Sequence, residues 1–373
     1  MKKKIQGSGF KVQGSQGTDV AHRILEDAVR ARVFPGAAVD VGSSGGPVWQ
    51  DALGTLGFDD SSRESAAVSP AVPTRLDTAF DLASLTKPIA TAAIFMQLVD
   101  AGAVVLDERV SECFPEWAGD DRAAATVGDL LEHASGLPAR LLDAPPDRRR
   151  EFEHDICGIP LEYVPHTRSI YSDLGFILLG FLAADRGHAS LSSQFEAIAR
   201  AVAPGLTFSL PIEFRHRAAP TIALADDLRR GRVLIGEVHD SYAAALGGAA
   251  GHTGLFGNAL AVGAYARAML RAARGDRDVP TPFTPDLVRR FTTRTLVPGS
   301  SRALGWDTML PTSSCGTHMS PSAFGHVGFT GTSLWIDPDR DRYFVLLTNR
   351  VNGGGSLDEM RTVRRAFHDA LNL

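Results

Sequence analysis

Phe80-Asp81-Leu82-Ala83-Ser84-Leu85-Thr86-Lys87-Pro88 opens a stretch that stays apolar almost to Asp100. Ile89, Ala90, Ala92, Ala93, Ile94, Phe95, Leu98 and Val99 leave no polar face, which predicts a buried helix over Ser84–Asp100. Gly102 closes it. Ser84 and Lys87 are three residues apart, so on a helix they share one face, one turn apart. A serine hydroxyl is a poor nucleophile until a base takes its proton. A lysine can be that base if burial lowers its pKa. An SxxK pair alone is common by chance, so its surroundings decide its meaning.

Outward from this helix, the two ends of the chain read as sheet and the middle reads as helix. Thr18 is placed to cap a helix over about 19–32, with Val20, Ile24, Leu25 and Val29 on one face. Ala37–Val41 and Val48–Leu53 flank a Gly-rich turn at Ser43–Gly46, a β-hairpin pattern. A Ser/Pro/Ala-rich loop is expected at 60–77. Helices separated by Pro and Gly loops are expected over 126–205, and another over 259–273. Gly325–Ile336 and Tyr343–Leu347 read as strands joined by Asp337-Pro338-Asp339-Arg340-Asp341. A last amphipathic helix follows at 357–371 with Ser356 as its cap.

These elements predict an α+β fold. An antiparallel sheet is built from both ends and flanked by the terminal helices, with an all-helical region inserted and a cleft where the two meet. Residues 1–17, rich in Gly, Ser, Gln and Lys, are expected to be disordered. Residues 18–373 are expected to form one domain, with a sheet part at about 18–78 and 290–373 and a helical part at about 79–289.

Two further motifs follow the first in order. Tyr171-Ser172-Asp173 precedes an apolar run, Leu174–Leu182, and so stands at a helix entrance. His326-Val327-Gly328 opens the stretch Gly325–Ser333. The Phe80–Pro88 segment, together with Thr126–Pro138, resembles class C β-lactamases and their relatives. These relatives include low-molecular-weight penicillin-binding proteins, D-aminopeptidases and β-lactamase-fold carboxylesterases. The resemblance spans about residues 20–370 and implies a serine β-lactamase/transpeptidase-like fold.

The resemblance implies that Ser84 is the nucleophile and Lys87 its neighbouring base. It assigns Tyr171 to proton transfer, first with Lys87 on Ser84 and then on the leaving group. His326 stands where β-lactamases have Lys and where related esterases and aminopeptidases often have His. Gly328 lets substrate lie against the strand, and the N–H groups of Ser84 and Phe329 would form the oxyanion hole. The family usually has Asn where this chain has Asp173. That carboxylate would hold Lys87 in its ammonium form and repel a substrate carboxylate; the alternative is that Asp173 only caps its helix. His133 and Ser135 are read as loop-tying residues. His239 and His252 are read as mainly structural, with cleft lining as the other role.

Composition removes other classes of function. The 373 residues carry a net charge of −5 with no basic stripe, which argues against nucleic-acid binding. Cys113, Cys157 and Cys315 form no CxxC pair and are expected to be reduced. No HxH or HExxH spacing occurs, so no metal is expected, and the chemistry calls for no organic cofactor. No apolar run follows Met1–Lys4 and no segment reaches a membrane span, so the expected location is the cytoplasm. The expected activity is acyl-enzyme hydrolysis of a small molecule, a carboxylesterase on neutral esters first. A D-amino-acid peptidase or amidase comes second and a β-lactamase third. A non-catalytic binding protein on the same fold would need a decayed motif, and none is seen. Oligomeric state is not legible in the sequence.

Overall fold

Strand alternation sets the architecture. In Arg342–Thr348, Phe344 and Leu346 pack to one side of the sheet while Tyr343, Val345 and Leu347 pack to the other. In Gly36–Ser43, Ala37, Val39 and Val41 share the first side with them. Both faces are therefore buried, and each needs a helical layer. The computed structural model describes residues 14–58, 72–141 and 145–371.

The main sheet has six strands: β1 (Gly36–Ser43), β2 (Gly46–Gly54), β3 (Asp307–Thr308), β4 (Phe324–Val327), β5 (Ser333–Asp337) and β6 (Arg342–Thr348). Their order is β2-β1-β6-β5-β4-β3, with every neighbour antiparallel. Strands from the two ends of the chain thus meet at β1 and β6, where Val39 opposes Leu346. The helices Gly14–Arg30 and Leu357–Leu371 cover one face, through Leu25, Phe367 and Trp335. The helix Ala259–Ala273 covers the other and joins the core of the helical region. The sheet built from both ends follows the expected plan, but the terminal helices share one face, and the other is covered by Ala259–Ala273, a helix expected in the helical part.

Four local expectations change. The first helix begins at Gly14, not near residue 19, so Thr18 lies inside it and residues 14–17 are helical. Gly17 passes so close to the final helix that a Cβ there would meet Ala370 O at 2.8 Å, so the last helix supports the first turn. Residues 1–13, and 59–71 of the expected 60–77 loop, lie outside the described residues. Gly325–Ile336 is not one strand. It is broken by a tight turn in which Gly328 N–H donates to Thr332 O (2.8 Å) and Gly331 N–H to Gly328 O (3.1 Å). The expected helix from Ser84 is also composite: a 3₁₀ turn at Ala83–Leu85, a π turn at Lys87–Thr91, then α-helix from Ala92 to Asp100.

Close backbone approaches hold the helical region together. Gly251 lies against the helix Asp173–Arg186, where a Cβ would sit 2.0 Å from Phe176 O and 2.8 Å from Gly180 N. Its carbonyl accepts from Thr91 Oγ1 at 2.6 Å. Gly328 approaches the nucleophile segment just as closely: its Cβ would be 2.6 Å from Leu82 O. Among the described residues no helix is long and apolar enough to cross a membrane. Gly251→Ala is expected to destabilise the protein by about 1–3 kcal/mol, measured by denaturant unfolding. An unchanged midpoint would show that the loop and helix can part freely.

Candidate active site

Ser84 sits on a turn that is clamped from several sides. Ala83, just before it, has φ +49°, the left-handed region that costs a non-glycine residue energy. The Asp81 carboxylate accepts from Ala83 N–H at 2.8 Å and from His239 N–H at 2.7 Å. Thr86 Oγ1 donates to Ala83 O at 2.7 Å, and Thr332 Oγ1 to Leu82 O at 2.9 Å. The strained conformation is thus over-determined by its neighbours. Burial pushes the Asp81 carboxyl up to about 6 despite these donors.

The structure brings Ser84, Lys87, Tyr171 and Asp173 together. Ser84 Oγ accepts from Tyr171 OH at 2.7 Å and from Lys87 Nζ at 3.2 Å. Lys87 is fully buried, and its Nζ also donates to Asp173 Oδ1 at 2.7 Å and His252 O at 2.9 Å. All three of its N–H bonds are therefore used. Ser172, not Asp173, caps the helix: its hydroxyl accepts from Gly175 N–H at 3.4 Å. Asp173 is the first helical residue, and its carboxylate is spent on Lys87 and on Arg140, 3.3 Å away. The cap reading of Asp173 is thereby corrected.

Electrostatics follow from this geometry. Burial works to lower the Lys87 pKa, but Asp173 and Tyr171 outweigh it, and the net shift is upward. The expectation that burial lowers this lysine gives way to the one that Asp173 raises it. Burial, opposed by Lys87 and assisted by Asp173, pushes Tyr171 up as well. The resting site therefore holds an ammonium, a neutral phenol and a carboxylate.

A string of alternating charge continues from there. Arg140 also reaches Asp240 at 3.1 Å, and Asp240 Oδ1 lies 2.9 Å from His252 Nε2. Burial opposes ionisation of Asp240, but His252 and Arg140 hold its carboxyl far below the usual range. His252 thus supports the site twice, through its carbonyl to Lys87 and its ring to Asp240.

His326 lies on β4 beside Tyr171. It is buried, with Nδ1–H donating to Val327 O at 2.8 Å and Nε2 3.5 Å from Arg302 Nη1. Its ring centroid is 5.9 Å from that of Tyr171, and its ring nitrogens face Val327 and Arg302, not the Ser84 hydroxyl. Burial first, then the charges of Arg302 and Lys87, hold it neutral. His133 ties its loop as expected: Nδ1 accepts from Ser172 N–H at 3.0 Å, and its carbonyl accepts from Tyr163 OH and Ile170 N–H.

The cleft beside Ser84 has a volume of about 570 Å³. Its lining includes Tyr171, Asp173, Leu224, His239, His252 and Phe329. His239 and His252 thus both border it. Cys113, Cys157 and Cys315 are unpaired. Among the described residues no group of three His, Cys, Asp or Glu side chains is placed to hold a metal ion.

Asp81, Arg140 and Arg302 escaped sequence reasoning. Asp81 lay inside the quoted motif, three residues before the serine, and a short acceptor just before a strained turn was an available signal. Arg140 and Arg302 lie in loops with no local pattern.

The Beta-lactamase family model matches residues 21–368. The chain belongs to that family. It is a serine hydrolase. A putative D-alanyl-D-alanine carboxypeptidase of Escherichia coli K12 is 32% identical over 73% of this chain and 69% of that one. An N-acetylmuramyl-L-alanine amidase of Bacillus subtilis is 29% identical over 85% and 77%. Among solved structures, EstCE1, a hydrolase with promiscuous acyltransferase activity, superposes with a TM-score of 0.74. It shares 18% identity over 97% of this chain and 100% of that one. Within the β-lactamase family, then, this chain carries a carboxylate on its lysine.

Asp173→Asn removes the charge that holds Lys87 above its ordinary value, leaving burial to lower it. A base with a lower pKa is free at lower pH. The rising limb of the kcat/KM pH profile is therefore expected to move to lower pH. An unmoved limb would show that Asp173 does not govern the ionisation of the site.

Proposed function

We propose that this chain hydrolyses small neutral esters through an acyl-enzyme on Ser84. Ser84 Oγ attacks the carbonyl carbon and the new C–O bond forms. The base is the fraction of the Lys87–Tyr171 pair that has lost one proton: it takes the serine proton and gives a proton to the leaving alcohol as the scissile C–O bond breaks. The N–H groups of Ser84 and Phe329 receive the oxyanion. Water then attacks the acyl-enzyme, and the same groups return the proton to Ser84.

The observation that carries the substrate class is charge. Of the cations about the cleft, three are met by aspartate, while Arg302 stands over the Tyr171 ring, 5.2 Å from its centroid, beside neutral His326. Lys87 pairs with Asp173, Arg140 with Asp173 and Asp240, and Arg229 with Asp227 at 2.7 Å. Asp226 adds another carboxylate to the lining. His326 is neutral and buried. A substrate carboxylate would find repulsion here, while Leu224 and Phe329, half-exposed, offer apolar surface to an uncharged group.

Amide hydrolysis is the second reading. The E. coli and B. subtilis relatives carry the names of a carboxypeptidase and an amidase. Tyr171 OH, 2.7 Å from Ser84 Oγ, stands where it could protonate a leaving nitrogen.

Ser84→Ala is expected to abolish fluorophosphonate labelling and lower ester turnover by about 10⁴-fold or more. Retained turnover would remove Ser84 as the nucleophile. Across p-nitrophenyl butyrate, a D-amino-acid amide, a D-Ala-D-Ala peptide and nitrocefin, kcat/KM is expected to be highest on the ester. A higher value on the amide would select the second reading. A higher value on the peptide or nitrocefin, both carboxylates, would overturn the charge argument.

A further inference from the structure

The turn at Gly328–Thr332 rests on two arginines. Arg364, from the final helix, donates through Nη2 to Gly328 O and to Thr332 O, each at 2.8 Å. Arg350 donates through Nη2 to Phe329 O at 2.6 Å. Only 4% of Arg364 and 7% of Arg350 is exposed. Among the described residues neither has an ion-pair partner, and the Nε of each lacks an acceptor. Burial pushes the Arg364 guanidinium down to about 9, and the charge of Arg350 acts the same way. A buried cation without an anion is costly to keep.

Satisfying the backbone does not account for it. Gly328 O already accepts from Gly331 N–H at 3.1 Å, and Thr332 O from Gly328 N–H at 2.8 Å. Neither carbonyl would be left unpaired without the arginine. What the guanidinium adds is charge on one particular peptide group. Gly328 O and the Phe329 N–H belong to the same peptide, and a trans peptide points them in opposite directions. With its carbonyl turned to Arg364, this peptide turns its N–H away from the arginine, and Phe329 borders the cleft with Ser84. A cation at the carbonyl end strengthens the donor at the other end.

We propose that Arg364 is a positioning residue that polarises the Gly328–Phe329 peptide and so strengthens its N–H toward the oxyanion formed on Ser84; Arg350 holds the next carbonyl, Phe329 O. This rests on the reading of Ser84 as the nucleophile. The charge acts through the peptide, so it matters most when negative charge develops on the substrate oxygen.

The test pairs Arg364→Met with Arg364→Lys, and reads ester kinetics, thermal midpoint and the rate constant for fluorophosphonate labelling. In labelling, the Ser84 Oγ–P bond forms, fluoride leaves and the serine proton passes to solvent, so no natural substrate is needed. Arg364→Met is expected to lower kcat and the labelling rate by about tenfold or more, short of the 10²–10³ typical of deleting a whole oxyanion donor. KM should change less than about twofold, since uniform binding is untouched. The thermal midpoint should stay level or rise, because an unpaired buried charge has been removed. Arg364→Lys, which keeps the charge, should recover most of the rate. A merely structural arginine predicts the reverse: lost stability and lost rate together. A rate within about threefold of wild type, a lowered midpoint, failure to fold, or a Lys variant no better than Met would each overturn the proposal. Wild-type protein that does not label at Ser84 would instead overturn the underlying reading, and this inference with it.

Discussion

A fully buried ammonium is the constraint from which the rest of this site follows. Lys87 lies in the core of the helical region, where an isolated charge is costly. It persists because Asp173, Ser84 and His252 O each take one of its three N–H bonds. Each partner is in turn fixed by packing. Asp173 stands at the head of a helix capped by Ser172. His252 O is presented by a loop that reaches this position only because Gly251 meets Gly180 without side chains between them. Ser84 is delivered by a strained turn held by Asp81, Thr86 and Thr332.

The same accounting separates the charges inside the site from those behind it. Around the cleft, Lys87, Asp173, Arg140 and Asp240 alternate in charge, so each is largely cancelled by the next, and the His252 ring hydrogen-bonds Asp240 at the end of the string. Behind the 328–332 turn, Arg350 and Arg364 stand without acids among the described residues. Paired charge fixes geometry; unpaired charge projects a field. The fold thus meets the cations around Lys87 with carboxylates and keeps Arg350 and Arg364 behind the backbone of the 328–332 turn.

Much of this was legible in the sequence, for reasons that differ by element. The sheet from both chain ends could be read because β1, β2 and β6 are bounded by strong turn residues and because the Ala259–Ala273 and Leu357–Leu371 helices have clear punctuation. Ser84 and Lys87 could be placed on one helix face from their spacing, but their roles and that of Tyr171 came from the resemblance that the motifs carry in order. The π turn at Lys87–Thr91 could not, since an apolar run looks the same in α and π windings. The break at Gly328–Thr332 was hidden by β-forming neighbours on both sides. Arg364 was invisible: on an amphipathic helix an arginine reads as solvated, and only the folded chain shows that it points inward. Asp173 was the hardest. Sequence left cap and charge partner open, and the neighbouring Ser172 hydroxyl, by taking the cap, decided between them.

The central claim is that Lys87 rests as an ammonium, held there by Asp173 against its own burial. Lys87 is the only lysine beyond Lys11, so in protein labelled with ¹³C at lysine Cε its signal has only those of Lys2, Lys3, Lys4 and Lys11 beside it, and a Lys87→Arg variant assigns it. An NMR pH titration of that signal reads its ionisation directly. The account predicts that it stays protonated through neutral pH and titrates above the ordinary lysine value of 10.5. A midpoint well below that value would contradict it, and would mean that burial, not Asp173, sets the charge on the group beside Ser84.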